Sequence, residues 1–216
     1  MDTIKKFLLD LNKMWTPISD KDIKWVPSSH DDNFFDECVK QLNSLNIYSV
    51  LDVACGGGHF IKKCIHNGID AFGIEPRGEG FEAFERYPIA ELRTQGRIVY
   101  GTFETFIAFF KNIWPQRYST VKFDCITVHN TIHGISDPDM IIDLFRIFKT
   151  KAKYIVISEP IWDRWNEEEQ KYIKEKINID KNFKKIHSFK KAYGFNIFND
   201  GVERTDYTIH NLYEVI

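Results

Sequence analysis

A glycine-rich turn between residues 50 and 60 constrains the fold of this 216-residue chain more than any other feature. The segment reads Val-Leu-Asp-Val-Ala-Cys-Gly-Gly-Gly-His-Phe, an apolar run that ends in three consecutive glycines. Apolar residues at helical spacing follow, at Phe60, Ile61, Cys64 and Ile65. Because glycine has no Cβ, a ligand can approach the main chain of such a turn closely. We therefore predict a buried strand, a turn and a helix, with a ligand site at the carboxyl end of the strand.

The spacing of the glycines distinguishes between two kinds of ligand-binding turn. A dinucleotide-binding turn follows Gly-x-Gly-x-x-Gly, but the series from Gly56 and Gly58 continues to Ile61. The turn instead resembles motif I of the class I S-adenosylmethionine-dependent methyltransferases, an acid-x-Gly-x-Gly-x-Gly pattern. Asp52, Ala54, Gly56 and Gly58 stand at its acid and glycine positions, with Ala54 replacing the first glycine. A glycine turn without a ligand is the remaining alternative.

The resemblance, which covers roughly residues 45–216, implies a fold and a cofactor. The implied fold is α/β, with a Rossmann-like, seven-stranded, mostly parallel sheet, helices on both faces and a C-terminal antiparallel hairpin. S-adenosylmethionine is the implied cofactor and S-adenosylhomocysteine its product. The single domain then consists of an N-terminal helical cap or lid, residues 1–48, and a cofactor-binding part, residues 49–216. The turn is expected to contact the cofactor at Asp52, Ala54, Cys55, Gly56 and Gly58.

The next apolar run supplies a further candidate for cofactor binding. Residues 71–77 read as a short strand that ends at Glu75 and Pro76. In the family an acid at this position accepts hydrogen bonds from the ribose hydroxyls, and ionised carboxylates make such bonds strong. The alternative is that Glu75 caps a helix from Gly80 to Arg86.

Residues 98–104 are predicted to form the third strand and the loop that faces the adenine edge in the family. Phe103 and Glu104 are the candidate contacts in this loop. Many family members carry Asp where this chain has Thr102. The alternative is that Glu104 is an acid on a loop facing solvent.

A strand predicted at Asp124–Val128 runs into a polar cluster of His129, Asn130 and His133. The family places residues beyond its fourth strand opposite the methyl group. Since histidine exchanges protons near neutral pH, His133 is the first candidate for a general base. His129 is a second catalytic candidate or a cofactor contact, and Asn130 is expected to hold the methionine part or the acceptor. The frequent family pattern Asn-x-x-Glu-His is not kept here, so no subfamily's substrate carries over.

The C-terminal third is predicted to complete the sheet. Residues 153–160 read as the fifth strand, with Glu159 at its active-site end as a third catalytic candidate. The tail is expected to contain a helix end at Gly194 and then two strands. The Asp-Gly turn of residues 199–201 is a strong hairpin signal, and the last strand is predicted at Tyr207–Val215.

The N-terminal segment shows two helical patterns. The apolar residues at helical spacing are Ile4, Phe7, Leu8, Leu11 and Trp15 in the first, and Phe34, Phe35, Cys38, Val39 and Leu42 in the second. Ser29 or Asp31 could cap the second helix. The connector from Trp15 to Pro27 either folds over the cofactor as a lid that excludes water or packs on the core.

Composition limits the partners. The formal net charge of −2 does not demand a nucleic-acid surface, and the lysines of residues 181–191 are predicted to form a solvated helix face. No apolar stretch reaches membrane-spanning length. Four cysteines without a Cys-x-x-Cys pair favour free thiols in a reducing compartment, and we predict a cytoplasmic protein. No metal is expected, because no acid follows His129 in the manner of His-Glu-x-x-His.

Together these patterns predict an S-adenosylmethionine-dependent methyltransferase that acts on a hydroxyl of a small molecule, such as a sugar or another metabolite. An in-line displacement with a histidine base is the expected mechanism, because the sulfonium donor is already activated and the protein mostly positions the acceptor. Two alternatives stay open: a methyltransferase for RNA, protein or a nitrogen acceptor, and a non-catalytic binding protein of the same fold. A homodimer also stays open.

Overall fold

The strand order of one large sheet determines where the functional side chains can meet. The computed structural model describes residues 2–14, 32–76, 88–161, 167–168, 171, 183–197 and 203–216. Within these residues, seven strands form one sheet in the order β3-β2-β1-β4-β5-β7-β6. The strands are β1 (Ser49–Val53), β2 (Asp70–Ile74), β3 (Ile98–Val99), β4 (Phe123–His129), β5 (Ala152–Ile161), β6 (Phe183–Ile197) and β7 (Glu203–Val215).

The direction of the strands confirms the fold expected from the glycine motif. Strands β1 to β5 run parallel to one another, and β7 is antiparallel to both β5 and β6. The sheet is thus mostly parallel with a terminal antiparallel pair. In such a sheet, loops that follow β1, β2, β3, β4 and β5 all emerge at the same edge, which is where α/β proteins bind ligands.

Helices cover both faces of the sheet. They are α1 (Asp2–Lys13), α2 (Asp32–Ser44), α3 (His59–His66), α4 (Ile89–Thr94), α5 (Phe103–Asn112), α6 (Trp114–Arg117) and α7 (Pro138–Lys151), and a 3₁₀ turn lies at Ile132–Gly134. Two of the helices are capped at their N-termini by a side chain of the preceding residue. The Thr102 hydroxyl accepts a hydrogen bond from the Thr105 N–H at the start of α5, and Asp137 does the same for Asp139 at the start of α7.

Alternation along β1 separates the core into two halves. Leu51 and Val53 pack with the residues of α1, α5, α6 and α7, whereas Val50 packs with those of α2, α3 and α4. Successive residues of a strand point to opposite faces of the sheet. We call these the α1 face and the α2 face.

Both helices predicted near the N-terminus are present, and they lie on opposite faces. On α1, Phe7 and Leu11 are fully buried, and on α2, Phe34 and Leu42 are almost so. The connector that carries Trp15, and with it the lid interpretation, lies outside the described residues. The helix expected from Gly80 to Arg86 lies outside them too.

One expectation for the C-terminal part was wrong. The lysine-rich stretch was predicted to be a solvated helix face that ends at Gly194, but residues 183–197 form strand β6. Pairing with β7, from Phe183 with Val215 to Ile197 with Glu203, determines the structure of this stretch. Strand formation depends on such tertiary context more than on local propensity. The exposed lysines fit an edge strand, where charges oppose pairing with another chain.

The described residues contain no helix that is both long enough and apolar enough to cross a membrane. The four cysteines are free thiols, and Cys38, Cys64 and Cys125 are buried.

Candidate active site

The glycine turn after β1 depends on left-handed backbone angles. The φ angles are 63° at Ala54, 55° at Gly56 and 80° at Gly58. Glycine adopts such angles without strain, whereas alanine loses about 1–2 kcal/mol there. The turn is held by a hydrogen bond from the Cys55 N–H to the Ile74 carbonyl at 3.0 Å. A strained alanine that is kept at a turn beside a binding edge is consistent with a functional constraint on the turn.

Two of the glycines have different reasons to lack a side chain. A Cβ at Gly58 would lie 2.8 Å from Leu92 Cδ1 and 2.9 Å from Ile98 Cδ1, so the ends of these two packed side chains would have to shift. A Cβ at Gly56 would meet nothing within 4 Å. The open space in front of Gly56 lets a ligand approach the main chain.

Asp52 is a buried acid that joins two strands. Its side chain on β1 accepts a hydrogen bond from the Thr127 hydroxyl on β4 at 2.7 Å. Burial raises the pKa of Asp52 to about 8, and nearby Glu75 adds to this rise, although the Thr127 hydrogen bond acts in the opposite direction. Asp52 is therefore mostly uncharged at neutral pH.

Glu75 at the end of β2 lies directly against the glycine turn. Its carboxylate Oε2 accepts a hydrogen bond from the Gly56 N–H at 2.7 Å, and its side chain is almost fully buried. Pro76 beside it is half-buried. Burial also raises the pKa of the neighbouring Cys55 thiol well above its ordinary value, so this cysteine is uncharged. The second-strand acid and the turn therefore form one unit.

A cavity of about 300 Å³ lies between the start of α5 and the loop that follows β4. Its lining includes the two residues predicted to face an adenine ring, Phe103 and Glu104. Phe103 and Glu104 were predicted to lie in a loop, but they are the first two residues of α5, because Thr102 caps the helix. The other wall comes from the loop after β4 and the start of α7: Thr131, Gly134, Ile135, Ser136, Asp137 and Met140. Sequence reasoning did not anticipate this second wall, because the residues that form it carry no distinctive motif.

His133 and Glu159 form a hydrogen-bonded pair at the ends of β4 and β5. His133 Nδ1 lies 2.8 Å from Glu159 Oε2. The Glu159 carboxylate is fully buried and also accepts hydrogen bonds from the backbone N–H groups of Thr131 at 2.8 Å, Ile132 at 2.7 Å and His133 at 3.2 Å. One carboxylate thus organises the 3₁₀ turn and orients the imidazole.

The contact with Glu159 selects one tautomer of the imidazole. A carboxylate accepts hydrogen bonds, so the His133 Nδ1 carries the hydrogen and Nε2 is the basic nitrogen. The His133 side chain is 22% exposed, whereas Glu159 is closed off from solvent. This arrangement can hold a proton-accepting nitrogen in a fixed direction.

His129 and Asn130 have surroundings different from those of His133. The His129 ring lies on the α2 face, with its centroid 4.5 Å from that of Phe60 and 5.5 Å from that of Phe35. Asn130 adopts a left-handed φ of 51°, and its buried Oδ1 has no hydrogen-bond partner among the described residues. No group of three metal-ligating side chains occurs in the described part of the chain.

Sequence reasoning missed one buried histidine. His210 on β7 is 1% exposed, and its Nδ1 lies 2.9 Å from the Ser158 hydroxyl and 3.3 Å from the Cys38 sulfur. Burial lowers the pKa of His210 to about 3, so the ring is neutral. A lone histidine in an alternating strand gives no signal in a sequence, because its partners are 52 and 172 residues away.

The chain matches no protein-family model, and no curated protein gives a significant match. Solved structures do match its fold. A putative RNA methyltransferase from Pyrococcus horikoshii has a TM-score of 0.55 at 13% identity, covering 100% of this chain and 98% of its own. An S-adenosylmethionine-dependent methyltransferase from Clostridium acetobutylicum has a TM-score of 0.53 at 14% identity, covering 87% of this chain and 93% of its own.

A third structure is magnesium protoporphyrin IX methyltransferase from Synechocystis with bound S-adenosylmethionine. Its TM-score is 0.52 at 13% identity, with coverage of 86% of this chain and 79% of its own. At such identities the likeness concerns the fold and not the substrate. The strand order, the glycine turn after β1 and these neighbours agree: the chain has the fold of the class I S-adenosylmethionine-dependent methyltransferases.

Proposed function

We propose that this protein is an S-adenosylmethionine-dependent methyltransferase that acts on a hydroxyl group of a small molecule, such as a sugar or another metabolite. The observation that carries the proposal is the 2.8 Å contact between His133 Nδ1 and Glu159 Oε2. His133 follows β4 and Glu159 lies near the carboxyl end of β5, and β4 lies beside the strand that ends in the glycine turn. A hydroxyl acceptor needs a group that takes its proton close to the methyl donor. The candidate base and the candidate cofactor turn follow adjacent strands, so they lie at the same edge of the sheet.

The residues at the edge of the sheet fit the cofactor. Gly56 leaves open space in front of its main chain. The buried Asn130 Oδ1, which has no hydrogen-bond partner among the described residues, is an acceptor suited to an ammonium or a hydroxyl. Glu75 is the proposed acceptor for the ribose hydroxyls, since it adjoins the glycine turn, and Phe103 and Glu104 line a cavity that has room for an adenine ring. When bound, the cofactor supplies an electrophilic methyl group on a sulfonium.

The chain's own contribution to the reaction is orientation and removal of a proton. Nε2 of His133 takes the proton of the acceptor hydroxyl as that oxygen attacks. The N–H group at Nδ1 keeps its hydrogen bond to Glu159. This hydrogen bond fixes the orientation of the ring and stabilises the imidazolium that forms. Asp52 takes no part in the proton transfer, because it is uncharged and bonded to Thr127 on the α2 face.

An acceptor in RNA is the second candidate. It is favoured by the neighbour from Pyrococcus horikoshii, a putative RNA methyltransferase, whose match covers 100% of this chain. Three exposed lysines on β6, Lys184, Lys185 and Lys190, add local positive charge. RNA binding that weakens steeply with salt would favour this candidate over a small-molecule acceptor.

A calorimetric titration with S-adenosylhomocysteine tests the cofactor. We expect one-to-one binding with a micromolar Kd. Absence of binding by folded protein would refute the proposal, and binding without turnover on any acceptor would point to a non-catalytic binding protein.

A screen of hydroxylated metabolites and sugars then tests the reaction. On the acceptor found, His133→Ala should reduce turnover by about a hundredfold, the usual value of acid–base help. His66→Ala, at an exposed position of α3, is the matched control and should leave turnover unchanged. A loss of less than tenfold in His133→Ala would mean that His133 only shapes the pocket.

A further inference from the structure

Arg93 joins the ends of two strands at the edge of the sheet where the cofactor is proposed to bind. It lies on α4, and its Nη2 donates a hydrogen bond to the Glu75 carbonyl at 3.3 Å. Its Cζ lies 3.7 Å from the centroid of the Tyr100 ring. Glu75 directly follows β2, and Tyr100 directly follows β3. One half-buried side chain therefore contacts both chain segments where they leave the sheet.

The sheet itself holds these two segments only weakly, because β3 contributes just two residues to it. The Glu75 N–H donates a hydrogen bond to the Val99 carbonyl at 3.0 Å. One residue later, the Tyr100 N–H donates to the Asn12 side chain of α1 at 2.9 Å. Side chains from α4 and α1 thus take over from the strand ladder at this point and set the positions of Glu75 and Tyr100.

The two contacts of Arg93 need a guanidinium group. A planar guanidinium can donate a hydrogen bond in its own plane while its face stacks on an aromatic ring. A lysine ammonium is a point charge on a flexible stem, so it cannot make both contacts with the same precision. The stacking on Tyr100 therefore limits where the Nη2 donor of Arg93 can lie, and with it the Glu75 main chain.

The carboxylate of Glu75 is held from the opposite side. Its Oε2 accepts the hydrogen bond from the Gly56 N–H at 2.7 Å, so the acid is fixed to the glycine turn as well as to α4. The charge of Arg93 also reaches this turn. Burial raises the pKa of the Cys55 thiol, and the positive charge of Arg93 acts in the opposite direction. Arg93 thus lies close enough to influence the turn and the acid together.

We propose that Arg93 is a positioning residue for cofactor binding, which fixes the main chain of Glu75 so that its carboxylate meets the ribose hydroxyls. Tyr100 holds the guanidinium in place through the stacking of its ring. Arg93 acts through Glu75 in this role and does not itself contact the ribose. The inference rests on the methyltransferase proposal, since the ribose belongs to the cofactor. A small displacement of a positioned group is enough to weaken its contacts with a ligand.

Two ligands that differ only in the ribose hydroxyls isolate this role. They are S-adenosylhomocysteine and its 2′,3′-dideoxy analogue, each titrated calorimetrically. We expect the wild type to prefer S-adenosylhomocysteine by about ten- to a hundredfold, the usual effect of hydrogen bonds to a charged group. Arg93→Gln should reduce this preference by about threefold or more, because the stacked cation is lost. It should leave the affinity for the analogue unchanged, whereas a general structural defect would weaken both ligands equally.

Matched variants separate the contacts. Tyr100→Leu removes the ring and should behave like Arg93→Gln, while Tyr100→Phe keeps a ring face and should behave like the wild type. This pair keeps the test decisive if Arg93→Gln fails to fold. Glu75→Ala should abolish the preference, and adding Arg93→Gln to it should change nothing further. Arg146→Gln, at an exposed arginine of α7, is the control and should keep the full preference.

The outcomes distinguish this inference from the proposed function. An unchanged preference in folded Arg93→Gln, equal weakening of both ligands, or the same loss in Tyr100→Phe as in Tyr100→Leu would overturn the positioning role and leave the methyltransferase proposal standing. Equal binding of the two ligands by the wild type would overturn the ribose contact of Glu75 and the role of Arg93 with it. Failure of the wild type to bind S-adenosylhomocysteine would refute the methyltransferase proposal itself, and this inference would fall with it.

Discussion

The glycine turn after β1 and the edge formed by β4 and β5 both contain a buried acid, but the two regions are built differently. At the turn, Asp52 receives one hydroxyl hydrogen bond and is largely uncharged. At the edge, Glu159 accepts three backbone N–H groups and faces an imidazole nitrogen. The turn presents its main chain to a ligand, whereas the edge presents a side chain that one carboxylate holds in place.

This difference predicts which substitutions would disrupt each region. The turn depends on backbone angles, so substitutions that add a Cβ should damage it most. The edge depends on a hub of hydrogen bonds, so loss of one carboxylate oxygen should damage it most.

The largest effect should come from Glu159→Gln. Glutamine has the size of glutamate, but its amide replaces one of the two acceptor oxygens with an NH₂ donor. That donor would face N–H groups that now donate hydrogen bonds to Glu159. We expect turnover on the acceptor to fall by about 10²–10⁴-fold, and the free energy of unfolding to fall by about 1–3 kcal/mol. Glu37→Gln, at an exposed position of α2, is the control for both measurements. Turnover within tenfold of the wild type would show that the hub does not support the reaction.

The two glycines should separate binding from stability. Gly56→Ala places a methyl group in open space, so it should weaken S-adenosylhomocysteine binding at least about tenfold while reducing stability by only about 1–2 kcal/mol, the strain of a left-handed alanine. Gly58→Ala adds a clash with Leu92 and Ile98, and overpacking adds about 1–3 kcal/mol. Calorimetry and urea unfolding measure the two quantities. Equal loss of stability in both variants would contradict the assignment of Gly58 to packing.

The pH dependence of stability should reveal the uncharged Asp52. Its folded pKa of about 8 lies above the ordinary value of about 3.9, so between these pH values the folded state binds more protons than the unfolded state. Stability therefore falls as pH rises from 5 to 8. Asp52→Asn removes this contribution, and the difference between the two proteins isolates it from other groups. Urea unfolding at pH 5, 6, 7 and 8 measures both slopes, and identical slopes would contradict a raised pKa.

The smallest effect should come from Ala54→Gly. Relief of the left-handed alanine should slightly outweigh the greater entropy of glycine in the unfolded chain, for a gain of about 0.5 kcal/mol. Ala90→Gly, in the exposed part of α4, should instead cost about 1 kcal/mol. Thermal unfolding of both variants compares the signs, and the same sign in both would mean that Ala54 is not strained.

Much of the fold follows from short stretches of sequence. The glycine turn, the apolar run before Glu75 and the alternating terminal strands each signal their structure within about ten residues, because backbone angle and local burial depend on neighbours in the chain. The seven-stranded, mostly parallel sheet was expected from the resemblance of the glycine turn to motif I of the class I methyltransferases, and the structure confirms it. Strand β6 was not expected, since its lysine-rich sequence becomes a strand only through pairing with β7.

The sequence by itself determined the turn after β1, the candidate acids and histidines, and the order of the elements that carry them. Only the tertiary structure decided which of these side chains act together. It joined His133 to Glu159 across 26 residues and His210 to Cys38 across 172, and it placed His129 on the α2 face. The physical reason is that these hydrogen bonds and ring contacts form between elements that are neighbours only in the folded sheet. The residues of one strand do not indicate which other strand will lie beside it.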